Sequence, residues 1–440
     1  MTETGIITAI DVGTTKVFAM VAALDGAKPR VLAHATVPSR GLMRGNVEDV
    51  AETTAAVRAA LDLIEAEAGI EIDSAYVGVT GAHVKCENRR DRLDGVGSIG
   101  VITPQELYAG SQAPGGNTDL SGKQDESRQL IHAMPISYTL DGEEGIRNPI
   151  GMHSKSVEVD THVITADRAH LQLLTQAVTD AGIEVDALVM EPLASGLATL
   201  TRDEMDRGTL LIDIGGGTCD MVAFRGGKVS YTGVVPIGGY QFTNDICLTY
   251  NVDRDSAERA KIEHGHTEPA AVDPDGMVSM ALADRPANIL VPARELAQLL
   301  RERAMEMGQL IRIKLDDAKS GQVGSVKVVL TGGASELPGI ADILQRYLGR
   351  RVRLGSPSRA YEGAEGLSDP MHATGLGILA WAAAQPVPAR ASRGSRANGR
   401  AARLSSDSGR LAEIGAGVSR QVRKLKLSPW MAAAMGNRQT

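Results

Sequence analysis

Ile6-Ile7-Thr8-Ala9-Ile10-Asp11-Val12-Gly13-Thr14-Thr15-Lys16 and, 202 residues further on, Leu210-Leu211-Ile212-Asp213-Ile214-Gly215-Gly216-Gly217-Thr218-Cys219-Asp220 follow one pattern. In each, an apolar run ends in an aspartate and a turn of glycine and threonine follows. A second apolar run then begins, Val17 to Val21 in one and Met221 to Phe224 in the other. That reads as two equivalent β-hairpins. Glycine lets the backbone approach a phosphate and aim N–H groups at it, and threonine adds a hydroxyl donor. A carboxylate at the strand end can hold the metal that neutralises the phosphates. One such loop is an ordinary tight hairpin, but two related copies facing each other across a cleft make a nucleotide-phosphate site.

Working outward, the 440 residues exceed what one hydrophobic core organises, so roughly two to four units are expected. A composition of 43% hydrophobic and 23% charged residues with 49 glycines suits a soluble α/β protein, and only 3% aromatic residues leaves few platforms for stacking bases, which argues against nucleic-acid binding. Cys86, Cys219 and Cys247 lie far apart with no CxxC spacing, so neither a disulfide framework nor a zinc site is expected and the chain reads as cytosolic. Cys219 reads as a small core residue, and His132, His153 and His162 lack ligand spacing. No run approaches 18 apolar residues and the N-terminus enters a strand directly, so the chain is expected neither to span a membrane nor to be exported. From residue 384 onward, 11 Lys/Arg against Asp407 and Glu413 give +9, which leaves −17 on the body of a chain carrying −8. A basic tail on an acidic body suits an anionic surface or an acidic patch on a partner.

Along the chain, Asp49 to Ala68 has helical spacing and Ala75 to Thr80 reads as a strand. Residues 84 to 163 change character, with glycine, proline and polar residues crowding Asp94 to Gly122, and read as an inserted subdomain. Leu171 to Ala181 is an amphipathic helix ending at Gly182, followed by a strand at Val185 to Met190. After the second hairpin come a strand near Val229 to Val235, Gly238-Gly239, and helices at Thr243 to Tyr250, Asp255 to His264 and Pro292 to Leu315. Thr267 to Arg285, acidic and proline-containing, reads as a loop. Ser325 to Leu330 is a buried strand running into Thr331-Gly332-Gly333-Ala334-Ser335, and a small-residue helix spans Thr374 to Ala384. Residues 384 to 410 alternate Pro, Ser, Gly, Ala and Arg and cannot offset their ordering entropy. As a coil this linker would span about 30 Å. Beyond it Leu411, Ile414, Val418, Val422 and Leu425 recur at helical spacing with Arg420, Arg423, Lys424 and Lys426 interleaved. Four basic residues at about 1 kcal/mol each near an anionic leaflet would give this tail reversible membrane binding. Binding a partner, or packing on the chain's own body, is the alternative.

Five sites in order resemble the actin/Hsp70/sugar-kinase superfamily: Asp11 to Lys16, a connecting helix from Glu191 to Gly196, Asp213 to Asp220, an adenosine loop from Thr331 to Ser335, and a second connecting helix from Ala373 to Gly377. Within it the chain is similar to the FtsA family of bacterial cell-division proteins. The specific marks are Val37-Pro38-Ser39-Arg40-Gly41, the segment from Asp141 to Met152, the segment from Gly238 to Ile246, and the linker plus amphipathic tail. The resemblance covers residues 5 to 384.

It implies an α/β, actin-like, two-lobed ATPase fold. Residues 1–83 with 164–192 and 359–383 would form the first lobe, and 84–163 the FtsA-type inserted subdomain 1C. Residues 193–358 would form the second lobe, with an outer subdomain at about 240–325, ahead of the linker at 384–410 and the tail at 411–440. ATP and Mg²⁺ would sit between the lobes. Gly13, Thr14, Thr15 and Lys16 would reach the β- and γ-phosphates from one side, and Gly215, Gly216, Gly217 and Thr218 from the other. Asp11 and Asp213 would hold Mg²⁺ through waters. Gly238, Gly239, Glu258 and Lys261 would meet the ribose and base, and Gly332, Gly333, Ala334 and Ser335 would meet the adenine and ribose. Glu191 would orient an attacking water. A helix-start acid is the plainer reading of Glu191-Pro192, and an i,i+3 surface ion pair that of Glu258 and Lys261. Any ATP turnover is expected to be slow.

The resemblance further implies self-assembly on the inner membrane face, tethering of FtsZ through its C-terminal peptide, recruitment of other divisome proteins, and peripheral location at the division site. Two departures stand out: Gln105 to Asp125 is broken by Pro114-Gly115-Gly116 and Gly122 where the family has a long helix, and the tail contains Gly415, Gly417 and Pro429. A pilus-assembly scaffold of the PilM kind is the alternative. A sugar kinase would need a carboxylate pocket for sugar, and a chaperone a C-terminal β-rich domain.

Overall fold

The computed structural model describes residues 5–25, 28–93, 95–97, 100–107, 127–318, 323, 326–357 and 361–385. Two five-stranded sheets carry the expected hairpins, and their topologies match. In the first, the order is Glu184–Met190, Ser74–Val79, Gly5–Val12, Lys16–Asp25, Lys28–Pro38. In the second it is Val352–Leu354, Lys327–Thr331, Thr209–Ile214, Cys219–Arg225, Lys228–Val235. Each is an antiparallel three-strand meander extended by two parallel strands. Parallel neighbours need crossovers. The helices Val50–Ala68 and Arg168–Asp180 lie in those of the first sheet, and Ala293–Asp316 and Ile340–Leu348 in those of the second.

Local chemistry fixes these elements. Val50–Ala68 starts where the Asp49 carboxylate accepts the Glu52 N–H at 3.0 Å, and stops at Gly69 in the left-handed conformation. Val57, Ala60, Leu61 and Ile64 recur at three and four residues, and all are fully buried. The strand Thr209–Ile214 is buried at every position, because the core helices cover one face of the sheet and the helix Glu191–Thr199 packs on the other. Leu210, Ile212 and Met221 join Phe242, Ile246, Leu296, Leu300, Met307, Val328 and Leu344 in the second lobe's core. Each such side chain contributes about 1.5–3 kcal/mol.

Glu191–Thr199 and Ala373–Ala383 pack on one another between the two sheets. The crossing is close because Gly377 sits against the Ala194 carbonyl, where a Cβ would collide with backbone. A third sheet, ordered Val84–Leu93, Val157–Asp167, Arg128–Leu140, Glu143–Ile146, interrupts the first lobe after Ser74–Val79.

Two expectations are corrected. Within Thr267 to Arg285, Pro269–Ala271 is a 3₁₀ turn and Met277–Ala281 is a strand, paired antiparallel with Asn288–Pro292. Its alternation, with Val278 and Met280 inward, is short and lies among acidic and proline residues that dominate the local composition. The helix expected from Thr243 begins at Gly239, so the glycine pair is the helix start and not a preceding turn. The linker, the tail with its membrane-facing candidates, and most of Gln105 to Asp125 lie outside the described residues. Among the described residues no helix is long and apolar enough to cross a membrane.

Candidate functional site

The two hairpin turns approach each other at the mouth of a cavity of about 520 Å³ between the sheets. Gly217 lies against Thr14, and a Cβ on Gly216 would come within 2.6 Å of the Thr15 Cγ2. Side chains at either glycine would wedge the turns apart. Each turn is closed by its own backbone: Gly13 N donates to Lys16 O and Gly215 N to Thr218 O, both at 2.9 Å. The start of the helix Gly239–Tyr250 closes on the second turn, with Gly239 N bonded to Gly215 O and Tyr240 N to Gly216 O.

Asp11, Asp213, Asp220 and Glu191 line the cavity floor. Burial pushes the Asp11 pKa up to about 6, with Lys16 opposing and Asp213 adding to the rise. Burial likewise lifts Asp220 to about 7, against the hydrogen bonds from Thr218 and Thr80. Glu191 is raised well above the usual carboxylate range, by burial first and then by the neighbouring acids Asp11, Asp220 and Asp213. It is also the first residue of its helix, with Pro192 following, so the plainer reading of this position holds as well. Asp213 is raised by burial, although Ser195 Oγ (2.5 Å) and Thr374 Oγ1 (3.1 Å) donate to its Oδ2. Lys16 is the cation facing these acids; its ammonium donates to Met371 O at 2.5 Å, and burial lowers its pKa.

On the opposite wall Lys261 Nζ bonds Glu258 at 2.8 Å, Thr243 Oγ1 at 3.0 Å and Gly239 O at 3.2 Å. Glu258 and Lys261 are therefore both a helix ion pair and part of the cavity lining. Gly332, Gly333 and Ala334 line the far end. Gly332 has φ +84°, and a Cβ there would strike the Asp213 carboxylate.

Of the residues picked out in the sequence, Gly238 and Ser335 stand behind the lining. Gly238 packs on the Gly215 and Gly216 carbonyls, and Ser335 Oγ bonds Gly332 O at 2.7 Å. Cys219 is fully buried. Thr80, Ser195, Asp220 and Thr374 were not singled out. Asp220 had a signal, a carboxylate at the start of the apolar run Cys219 to Phe224; Ser195 and Thr374 had none beyond lying in the connecting helices, and Thr80 none beyond ending the strand read at Ala75 to Thr80.

The donor set fits a magnesium nucleotide. Glycine turns occupy space that Cβ atoms would fill, a lysine faces the floor, and several buried carboxylates lack enough positive charge. Among the described residues no three His, Cys, Asp or Glu side chains converge as direct metal ligands.

Such a cleft between duplicated sheets defines an actin-like protein. Solved structures with this fold include a PilM–PilN type IV pilus biogenesis complex (TM-score 0.59, 20% identity, covering 86% of this chain and 99% of that one). Another is the MreB5 protein of Spiroplasma citri bound to ADP (TM-score 0.52, 12% identity, covering 86% and 95%). The family model for cell division protein FtsA matches residues 210–377, and that for the SHS2 domain inserted in FtsA matches 81–165. The FtsA of Rhizobium meliloti (strain 1021) is 31% identical over 389 residues, 85% of this chain and 86% of that protein. That of Agrobacterium fabrum (strain C58) is 30% identical over 426 residues, 93% of each, and that of Escherichia coli (strain K12) 29% over 388 residues, 86% and 90%. The chain belongs to the FtsA family and is an actin-like cell-division protein.

Proposed function

We propose that this protein binds ATP with Mg²⁺ between its lobes, assembles with copies of itself, and tethers FtsZ filaments to the inner membrane face at the division site. The carrying observation is the pair of glycine turns in mutual contact above Lys16 and the buried acids. Thr14, Thr15 and Lys16 bind the phosphates from one lobe, and Gly215 to Thr218 from the other. Asp11 and Asp213 orient the hydrated cation, which supplies the charge that neutralises the triphosphate. Gly238 and Ser335 support this wall; Gly239, Glu258, Lys261 and Gly332 to Ala334 hold the nucleoside end. Glu191, buried on the cavity floor beside the other acids, is the group assigned to orient water, and any turnover is slow.

Lobes joined through one ligand present a single rigid surface for assembly. The FtsZ C-terminal peptide is assigned to the outer part of the second lobe, about 240–325, and the lipid contact to Leu411, Ile414, Val418, Val422 and Leu425 with the basic residues between them. Other division proteins are recruited at the same site. Co-sedimentation with anionic liposomes tests the tail: the full chain should pellet and a chain lacking 411–440 should not, and equal pelleting would remove the membrane role. Capture of the FtsZ peptide tests the partner, and separates this reading from a pilus-assembly scaffold.

A further inference from the structure

The inserted sheet and the second lobe's sheet turn edge strands toward each other. Val84–Leu93 is the outer strand of one and Lys228–Val235 of the other. The two edges are stitched by side chains: Cys86 Sγ donates to Thr232 O at 2.5 Å, and Asn88 Nδ2 donates to Ser230 O at 3.1 Å. Residues two apart on one strand meet residues two apart on the other, the spacing of pleated chains. Carbonyls that an exposed edge would offer to another chain are thus occupied.

His162, one strand further in and 1% exposed, completes the seam. Its Nδ1 lies 2.5 Å from Asn88 Oδ1 and its Nε2 3.0 Å from Thr232 Oγ1. Because Asn88 turns its amide nitrogen to Ser230, its oxygen accepts from Nδ1–H, and Nε2 accepts from the Thr232 hydroxyl. Burial holds this histidine neutral, with a pKa of about 4. At the outer end Lys228 Nζ donates to Arg147 O at 3.0 Å and lies 5.7 Å from the Tyr138 ring centroid. Arg147 belongs to the 141–152 segment that marks the family. At the inner end Thr80, just before Val84–Leu93, donates to Asp220 on the cleft floor. Asp220 pairs in register with Val234 of the stitched strand.

A single line of contacts therefore runs from a cleft acid to the outer hairpin of the insert. We propose that this seam couples the seating of the inserted subdomain to the state of the cleft: closing the hairpin turns on a phosphate holds the seam shut, and opening the cleft draws the edge strand away from Cys86. The coupling rests on the nucleotide reading above.

Cys86 is its own reporter. In full-length protein carrying Cys247→Ser, with Cys219 fully buried, a water-soluble maleimide is reacted with and without magnesium–ATP while calorimetry on the same preparation records nucleotide uptake. Nucleotide should slow alkylation of Cys86 at least ~5-fold. His162→Ala should speed alkylation in the nucleotide-free protein and shrink the nucleotide effect; Thr232→Val, which keeps the side-chain shape, serves if His162→Ala does not fold. Uptake with an unchanged Cys86 rate overturns the coupling alone. A rate indifferent to both substitutions overturns the seam itself, and absence of uptake overturns the nucleotide reading and the coupling together.

Discussion

Asp213 and Asp11 end equivalent strands in equivalent sheets, yet different things hold them. Asp213 accepts one hydroxyl from each connecting helix, Ser195 and Thr374. Asp11 faces Lys16 of its own hairpin, whose ammonium is also tied to the Met371 carbonyl. The second hairpin is pinned to the two connecting helices by hydrogen bonds, with Lys16 a smaller influence, whereas the first is balanced chiefly by the charge of Lys16. The two lobes carry the same loop in two forms, one the fixed jaw and the other the charged one.

The comparison sharpens most at Lys16. Lys16→Ala should weaken ATP binding about 100-fold in a titration with fluorescent nucleotide, the size expected for loss of one buried charged partner. An affinity within about 3-fold of the parent, on the order of 0.6 kcal/mol, would show that charge does not distinguish the first jaw.

Stability is the next contrast. Asp213→Ala removes the acceptor that the Ser195 and Thr374 hydroxyls share, leaving them only their mutual contact at 3.0 Å, and should cost about 1–3 kcal/mol in urea unfolding of the nucleotide-free protein. Asp11→Ala should cost less than about 1 kcal/mol or stabilise, because it removes a carboxylate that burial disfavours. Equal costs would erase the distinction between pinned and balanced ends.

Acid titration sets the cleft against the insert. Asp11 and Asp220 have folded pKa values raised from 3.8 to about 6 and 7. The folded state binds the extra protons in that window, so stability rises as pH falls through it. His132 and His162 are lowered from 6.5 to about 4. There the unfolded state binds the extra protons, so stability falls from about pH 6.5 downward. The two acids and these two histidines nearly cancel, and His83 and His372 are lowered to about 4 as well, so the melting temperature of nucleotide-free protein should fall by a few degrees as pH drops from about 7 toward 4. Asp220→Asn removes one of the opposing contributions and should steepen that fall. A fall no steeper in Asp220→Asn than in the parent would contradict these opposed contributions.

The smallest effect belongs to the insert's surface. Arg90 bonds Asp160 and Glu144, but its side chain is 44% exposed. Arg90→Ala should cost no more than about 1 kcal/mol, with ATP affinity unchanged.

How much of this was legible follows the length of the contacts involved. The hairpin turns could be read from Asp11 to Lys16 and from Asp213 to Asp220, because glycine placement and apolar runs are local features. Lys28–Pro38, Arg128–Leu140 and Val84–Leu93 were not read as strands. Val84–Leu93, with its run Glu87-Asn88-Arg89-Arg90-Asp91-Arg92, is a strand because Val157–Asp167 pairs along its whole length, a constraint from some 70 residues away. Thr80 and Thr374 escaped for the same reason: a hydroxyl becomes part of a site only when a distant carboxylate arrives beside it.

Calorimetric titration of the full chain with ATP in excess magnesium, run beside Gly216→Val, tests the central claim most directly. Saturable one-to-one binding by the parent and none by the variant, whose new side chain must displace Thr15, is the predicted result. A flat titration of the parent, or equal binding by both proteins, would contradict a triphosphate held between the two turns.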